Sequence, residues 1–439
     1  MISVEEARRI ILSHVKVLGA EKVNLFSALG RILAEDVLSP LNIPPWNNTA
    51  MDGFAVRAED TRGASPESPV ILEVIEDLPA GYMARHPVGP RQAIRIMTGA
   101  PIPDGADAVV RVEETELIDD HQIKVFVEVE PARDIRMAGE DIKKGAVILE
   151  KGSLVRPPDV GLLASIQRSF IAVYQRPVVA ILSTGDELVD IDEPLVKGKI
   201  VNSNGYSLAA QVLECGGIPV QLGIAKDTKE DLEEKFSQGL EADVLISSGG
   251  VSVGDYDFVK QVLKNLGTEM QFWRVAMRPG SPLAFGIMRG KPAFGLPGNP
   301  VSAMVTFELF VRPALLKMSG RKKIFRPLLK ALAEEDIKTA EGKKHFIRVT
   351  LKLKKGRYHA STTGPQGSGI LRSMSLSHGL AVVPETQSLV KAGEEVLVIP
   401  LNPSFEDRES LSFSLEEETP EAETGSSHAQ GHDPGEDCC

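Results

Sequence analysis

The residues with the most chemistry in this chain stand at 242–257, ADVLISSGGVSVGDYD, where an apolar run over 243–247 stops in Ser248-Gly249-Gly250. Two adjacent glycines remove the Cβ atoms that keep a ligand off the backbone. Ser247, Ser248 and Ser252 add hydroxyl donors, so the segment suits a phosphate or another oxyanion. Asp255 and Asp257 follow, and carboxylates beside a phosphate cradle suit Mg2+, which takes oxygen from one or two carboxylates and from the substrate's phosphate. The same residues also make an ordinary strand-to-helix turn, with Asp257 capping a helix over 258–266.

Three more loops share this character. Ser183-Thr184-Gly185-Asp186-Glu187 follows one apolar run, Lys226-Asp227 a second, and Leu296-Pro297-Gly298-Asn299-Pro300 a third, just ahead of a helical stretch that contains Ser302. Unpaired N–H groups at that helix start make a further anion site. The segment FWRVAMRPG adds Arg274 and Arg278, whose spacing in an extended strand would set both on one face.

These loops need a scaffold that brings them to one edge. Apolar runs at 177–188, 218–224 and 243–247 alternate with helical patterns at 203–214 and 229–238, the arrangement of a mostly parallel sheet with helices on its faces. In such sheets ligands bind beyond the carboxyl ends of the strands, where all four loops fall. Runs of period two at 70–76, 93–97, 108–114 and 122–130 predict a separate β-rich domain, and alternating runs at 345–356, 379–385 and 393–400 predict a small β-barrel. At the start, Ser3 with Glu6 forms a capping-box pattern, and Val4, Ala7, Ile11, Val15 and Leu18 recur at helical spacing. Pro40, Pro44 and Pro45 then favour an extended connector. Asp52 before Gly53, and Glu140-Asp141, are each compatible with a plain turn or a site.

Composition narrows the class. The chain has 439 residues and a formal charge of −12, yet eight of its carboxylates and no Lys or Arg lie in 416–439, which leaves about −4 on the rest. That tail has no aromatic or branched aliphatic residue and is expected to be disordered. Ending the chain after Leu415 is therefore expected to leave melting temperature and catalysis unchanged; a loss of several degrees would show that the tail docks. The near-neutral remainder lacks the clustered basic residues that nucleic-acid binding uses. No apolar stretch reaches membrane-spanning length and no secretory signal opens the sequence, so the expected location is the cytoplasm. Three cysteines, Cys215, Cys438 and Cys439, are too few for a disulfide framework or a Cys-based zinc site.

The motifs TAMDGFAV, IMTGAPIPDGAD, STGDEL, NSNGYSL, SSGGVSVGDYDFVK, RPGSPLAFG and FGLPGNPVSA stand in the order found in the molybdopterin molybdenumtransferase family, relatives of gephyrin's C-terminal domain. The chain resembles that family over about 4–400. The resemblance implies an enzyme that takes adenylylated molybdopterin and molybdate (or tungstate), inserts the metal at the dithiolene and releases AMP with help from Mg2+. It implies a homodimer with the active site between the β-rich domain of one subunit and the α/β domain of the other. A pterin adenylyltransferase and molybdoenzyme apoproteins are its implied protein partners. The shortage of cysteine is consistent with sulfur ligands that arrive on the substrate.

By resemblance, Glu187 and Asp257 serve Mg2+ and phosphate, Asp227 lies at the same edge, and Asp52, Thr98 and Asp141 form the side of the cleft given by the partner subunit. Thr184, Ser248, Gly249 and Gly250 belong to the phosphate loops. Pro297, Gly298, Asn299, Pro300 and Ser302 belong to the helix-start anion site. Arg274 and Arg278 stand where many members have lysine, which keeps the charge but changes hydrogen-bond geometry and leaves molybdate against tungstate open. Arg372 and Ser373 stand where the family approaches the pterin, and a structural turn remains an equal reading. The expected fold class is multidomain α/β plus β: a mostly parallel α/β sandwich at 176–322, a β-rich inserted domain at 51–132 and a C-terminal β-barrel at 323–415. A connector made of 1–50 and 133–175 joins them, and 416–439 is the tail. Two other classes fit parts of the pattern. A non-catalytic scaffold could keep the fold, and a pterin adenylyltransferase or a nicotinamide-nucleotide amidase could share the α/β unit alone.

Overall fold

The computed structural model of the chain describes residues 1–250, 262, 263 and 265–402. Helix α1 (Val4–His14) starts on Ser3, whose Oγ accepts the Glu6 N–H at 3.0 Å. The reciprocal half of the capping box does not form, because the Glu6 carboxylate instead binds Arg9 at 2.6 Å. The helix ends before Val15, and Leu18 leaves the helical pattern to donate its N–H to the Met318 carbonyl at 2.8 Å. Val4, Ala7 and Ile11 are buried in the largest core.

The N-terminal segment pairs with a later one. Val37–Leu38 is antiparallel to Val147–Leu149, Asn48–Thr49 to Ile135–Arg136, and Ala20–Asn24 to Phe170–Tyr174.

Between these pairings a six-stranded sheet is inserted: β1 (Gly53–Val56), β2 (Val70–Leu78), β3 (Gln92–Ile96), β4 (Ala108–Arg111), β5 (Thr115–Asp119) and β6 (Gln122–Val125), in spatial order β4-β1-β3-β2-β6-β5. Strands β1 and β5 were not evident from periodicity. In β1 all four residues are buried, with Phe54 and Val56 facing one apolar cluster and Ala55 another, so no polar residue marks the alternation. Its Gly53 lies where a Cβ would overlap the Val110 carbonyl.

The α/β unit contains β7 (Val178–Thr184), α2 (Ser203–Glu214), β8 (Ile218–Ala225), α3 (Lys229–Gly239), β9 (Val244–Ser248), β10 (Thr268–Arg274), β11 (Met277–Arg278), β12 (Pro282–Met288) and β13 (Lys291–Leu296). Its sheet runs β8-β7-β9-β13-β12-β10, the first four parallel and the last two an antiparallel edge. Successive residues of β7 face opposite ways: Val179 and Ile181 pack with Leu208 and Val212 of α2, whereas Ala180 and Leu182 pack with Leu232 and Phe236 of α3. Burial on both faces explains why these strands read as continuous apolar runs.

After β13 the chain continues as α4 (Pro300–Thr306), a π turn (Phe307–Val311) and α5 (Arg312–Met318). Pro313 has no N–H to give to the carbonyl four residues back, on Leu309. Arg8 Nε of α1 takes that carbonyl at 3.1 Å.

Five strands close the C-terminal barrel: β14 (Leu329–Ala333), β15 (Lys344–Lys354), β16 (Arg357–Thr362), β17 (Gly379–Val383) and β18 (Glu395–Pro400), with the short helix α6 (Leu371–Ser375) between β16 and β17. The ring is β15-β16-β14-β18-β17 and back to β15. Strand β11 joins this barrel rather than the α/β sheet, running parallel to β15 with Arg278 opposite His345. This corrects the expectation of one extended strand carrying both arginines. Val275 and Ala276 turn away after β10, held by Ser281 and Ile2 through the bonds Val275 N–H to Ser281 O at 3.0 Å and Ala276 N–H to Ile2 O at 2.8 Å. Arg274 and Arg278 therefore belong to two different sheets.

Candidate active site

The carboxyl ends of the parallel strands open into a cleft of about 700 Å³, within the range of a small-molecule site. Thr184, Gly185 and Glu187 enter it from the loop after β7, Asp227 from the loop after β8, Ser248, Gly249 and Gly250 from that after β9, and Pro297, Gly298, Asn299 and Pro300 from that after β13. Parallel topology alone brings these loops together.

Close backbone approach holds the loops in place. Gly249 has φ +99°, and a Cβ there would lie 2.5 Å from the Thr184 carbonyl; its N–H donates to the Leu296 carbonyl at 3.1 Å. Only glycine fits between the ends of β7 and β13. Asn202 caps α2: its Oδ1 accepts the Gly205 N–H at 3.0 Å and the Ser183 hydroxyl at 2.8 Å. Asn204 Nδ2 donates to Ser248 Oγ and to the Gly298 carbonyl, both at 2.7 Å. Sequence reasoning did not assign roles to these asparagines, although an Asn-Ser-Asn start to a helix is a capping signal. Thr184 Oγ1 and Asn204 Oδ1 are buried without a partner among the described residues.

Carboxylates stand on the rim. Asp186 Oδ1 accepts the Asp227 N–H at 3.2 Å. Burial chiefly pushes the Asp227 carboxyl above the usual carboxylate range, and the charges of Asp186 and Glu187 add to the rise. Gly185, at φ +144°, makes room for the Glu187 carboxylate, which a Cβ there would overlap. Asp255 and Asp257 lie outside the described residues. Among the described residues no group of three or more His, Cys, Asp or Glu forms a metal cage. An oxygen-only rim with few carboxylates fits Mg2+ that completes its shell on substrate phosphate and does not fit a softer metal. Burial pushes the Cys215 thiol up to about 12, which keeps it from serving as a thiolate ligand.

A second cluster lies where the barrel meets α4. Arg348 on β15 is fully buried; one guanidinium nitrogen donates to the carbonyls of Pro365 and Gly367, at 3.2 and 3.1 Å, and the other two have no partner among the described residues. Beside that loop, the Ser368 carbonyl accepts the Val301 N–H at 3.0 Å, and Gly369 lines the cleft. Ser302 and Ser373 are both buried, and Ser373 Oγ also lacks a partner among the described residues. Arg348 was missed because an arginine in an alternating strand reads as solvent-facing. Arg274 and Arg278 are exposed, and Arg278 adds its charge to the burial that lowers the pKa of His345.

Asp52, Thr98 and Asp141 are not among the residues that line the cleft. Asp52 Oδ1 accepts both the hydroxyl and the N–H of Thr98 at 2.6 Å, and the hydroxyl above all holds the Asp52 carboxyl below its usual range. Asp141 borders another cavity, of about 420 Å³, with Gly139, Lys143 and Ile148.

Comparison with known proteins gives three family matches: the MoeA N-terminal region (domain I and II) at 2–166, a probable molybdopterin binding domain at 180–317 and the MoeA C-terminal region (domain IV) at 330–401. The chain is 40% identical to a molybdopterin molybdenumtransferase of Nostoc sp., covering 91% of this chain and 94% of the relative. It is 38% identical to one of Haemophilus influenzae, covering 92% and 99%. Two crystal structures of a molybdopterin biosynthesis MoeA protein from Pyrococcus horikoshii, each 33% identical, superpose with TM-scores of 0.81 and 0.77 over 91% of this chain and 99% and 100% of theirs.

Proposed function

Because the chain belongs to the molybdopterin molybdenumtransferase family of molybdenum cofactor biosynthesis, we propose that its cleft takes adenylylated molybdopterin and an oxyanion, molybdate or tungstate. The products are the metal-loaded pterin and AMP. The chain is a transferase, and the match over 2–166 removes the readings that rested on the α/β unit alone. One observation carries the finer reading: four loops converge on a single cleft, and they offer backbone N–H and hydroxyl donors with carboxylates at the rim.

The chemistry follows from that lining. Ser248 and the Gly250 backbone bind and orient phosphate, the Gly249 N–H being taken by the Leu296 carbonyl, while Thr184 Oγ1 gives the substrate a buried hydroxyl. Glu187, with Asp227 at the same rim, and Asp257, which lies outside the described residues, would hold Mg2+; bound there, the ion would neutralise charge developing on the phosphoanhydride as AMP departs. The oxyanion is assigned to the exposed Arg278, with Arg274 at the sheet edge and Ser302 and Ser373 where α4 meets the barrel; none of these four lines the cleft itself, and Arg348 is buried too deeply to touch a ligand. Fixed cations and N–H donors in a partly dry site orient a dianion without reorganising during the reaction. A pterin adenylyltransferase supplying the substrate, apoenzymes receiving the product and a cytoplasmic location complete this reading. Among the described residues, no helix is long and apolar enough to cross a membrane.

A homodimer accounts for Asp52, Thr98 and Asp141. Since none of them lines the cleft of its own chain, the proposal assigns them to the cleft of a second copy. Mixing Asp52→Asn and Glu187→Ala subunits tests both parts. Each inactive alone, they are expected to recover roughly a quarter of wild-type AMP release, because half of random dimers are mixed and each holds one intact site. No recovery in confirmed mixed dimers would place both residues in one site of one chain. Absence of AMP release from wild-type protein given adenylylated molybdopterin and either oxyanion would overturn the functional reading itself.

A further inference from the structure

We infer that Asn204 is the positioning residue that sets the hydrogen-bond polarity of the cleft, turning the Ser248 hydroxyl and the Gly298-Asn299 peptide into donors for a bound phosphate. This inference rests on the proposed function and adds a residue to it. The Gly298 carbonyl can only accept, so the side-chain atom of Asn204 that meets it at 2.7 Å is the amide nitrogen. The same nitrogen lies 2.7 Å from Ser248 Oγ. Having only protons to give, it makes Ser248 Oγ the acceptor.

Two consequences follow. Ser248 is 2% exposed and its Oγ has no other partner among the described residues, so its hydroxyl proton remains free for a ligand oxygen. The Gly298-Asn299 peptide is trans, and in a trans peptide the carbonyl and the next N–H point to opposite sides. Tying the Gly298 carbonyl to Asn204 therefore turns the Asn299 N–H away from Asn204, and that N–H has no acceptor among the described residues. Both groups line the same cleft. Asn204 thus joins the loops after β9 and β13 and gives each the same polarity, which suits phosphate and disfavours a ligand that must be met by acceptors.

A purely structural role fits less well. Asn204 Oδ1 is buried without a partner among the described residues, which opposes stability, so this amide is not optimised for holding the fold. Losing it is expected to hurt binding more than folding.

The test uses full-length protein with Asn204→Ala, Asn204→Asp, Ser248→Ala and the Asn204→Ala/Ser248→Ala pair. AMP alone is the equilibrium probe, and adenylylated molybdopterin is the substrate in turnover. Asn204→Ala is expected to raise the AMP Kd and the half-saturating pterin concentration about tenfold, with kcat changed by less than about threefold and melting temperature nearly unchanged. Asn204→Asp preserves shape but can accept the Ser248 proton and repels phosphate, so it is expected to lose more. In the double variant, the two losses are expected to fall short of additive, because part of the asparagine's effect passes through Ser248. Wild-type AMP and pterin affinity in both Asn204 variants overturns the inference, as does a fall in melting temperature with binding intact. Failure of wild-type protein to bind or turn over the adenylylated pterin would instead bring down the functional reading and this inference with it.

Discussion

Alanine at Glu187 is expected to slow AMP release at least about 100-fold, equivalent to ~2.7 kcal/mol of transition-state stabilisation, while the melting temperature stays within error. Its carboxylate folds back over Gly185, where a Cβ would overlap it, and it helps to keep the Asp227 carboxyl raised. A loop that excludes a β-carbon in order to place a carboxylate is poorly explained as a turn. Like charges at this rim favour a cation, and on the proposed reading removing one of them removes an oxygen ligand and part of that attraction. Two readouts separate ligand from turn former. The Mg2+ concentration for half-maximal turnover is expected to rise in Glu187→Ala, and Glu187→Gln, which keeps the shape, should recover little. Gly185→Ala is expected to resemble Glu187→Ala, because the new methyl displaces the carboxylate without altering its charge. Normal turnover with normal Mg2+ dependence in Glu187→Ala would return the residue to a structural role.

The architecture was legible where a long apolar run or a strictly alternating one marked a strand. Strands β7, β9 and β13 stood out as apolar runs because helices cover the sheet that holds them, and α2 and α3 followed from their helical patterning between those runs. Strand β1 was not legible, since its Gly-Phe-Ala-Val is too short to show whether two clusters or none receive it. The cleft's four loops could be placed together from parallel topology, because the rule that ligands lie beyond strand carboxyl ends needs no contacts. What joins those loops could not. Asn204 meets Ser248 and Gly298 across 44 and 94 residues, and Thr98 meets Asp52 across 46, separations that no local pattern records. Arg348 shows the limit from the other side: nothing in its alternating strand marks it out, whereas the closed barrel and the loop of Pro365 and Gly367 bury it. The two arginines at 274 and 278 were read as one strand because sequence spacing cannot show a chain leaving one sheet for another within four residues.

That separation sharpens what the arginines are expected to do. Molybdate and tungstate are dianions of nearly equal size, so fixed positive charge and N–H donors must hold them. Arg278 sits on the strand that the barrel adds to β15, while Arg274 ends the edge strand of the other sheet. Arg348 is also on β15, but it is fully buried and tied to the Pro365 and Gly367 carbonyls, so it holds the loop and not the oxyanion. Arg278→Ala is therefore expected to raise the molybdate concentration for half-maximal insertion at least about tenfold, equivalent to ~1.4 kcal/mol, with little change in pterin binding. Arg274→Ala is expected to shift it less. Arg278→Lys should be milder than alanine but not silent, since a point charge replaces a planar fork and donates with different geometry. The measurement is a titration of molybdate and of tungstate in AMP release at saturating pterin for each variant. If Arg278→Ala leaves oxyanion dependence untouched and weakens the pterin instead, the arginine clamps phosphate and the oxyanion is held elsewhere in the cleft. A parallel shift for both oxyanions would show that the arginine reads charge alone, whereas a larger shift for one would make its fork the source of selectivity between them.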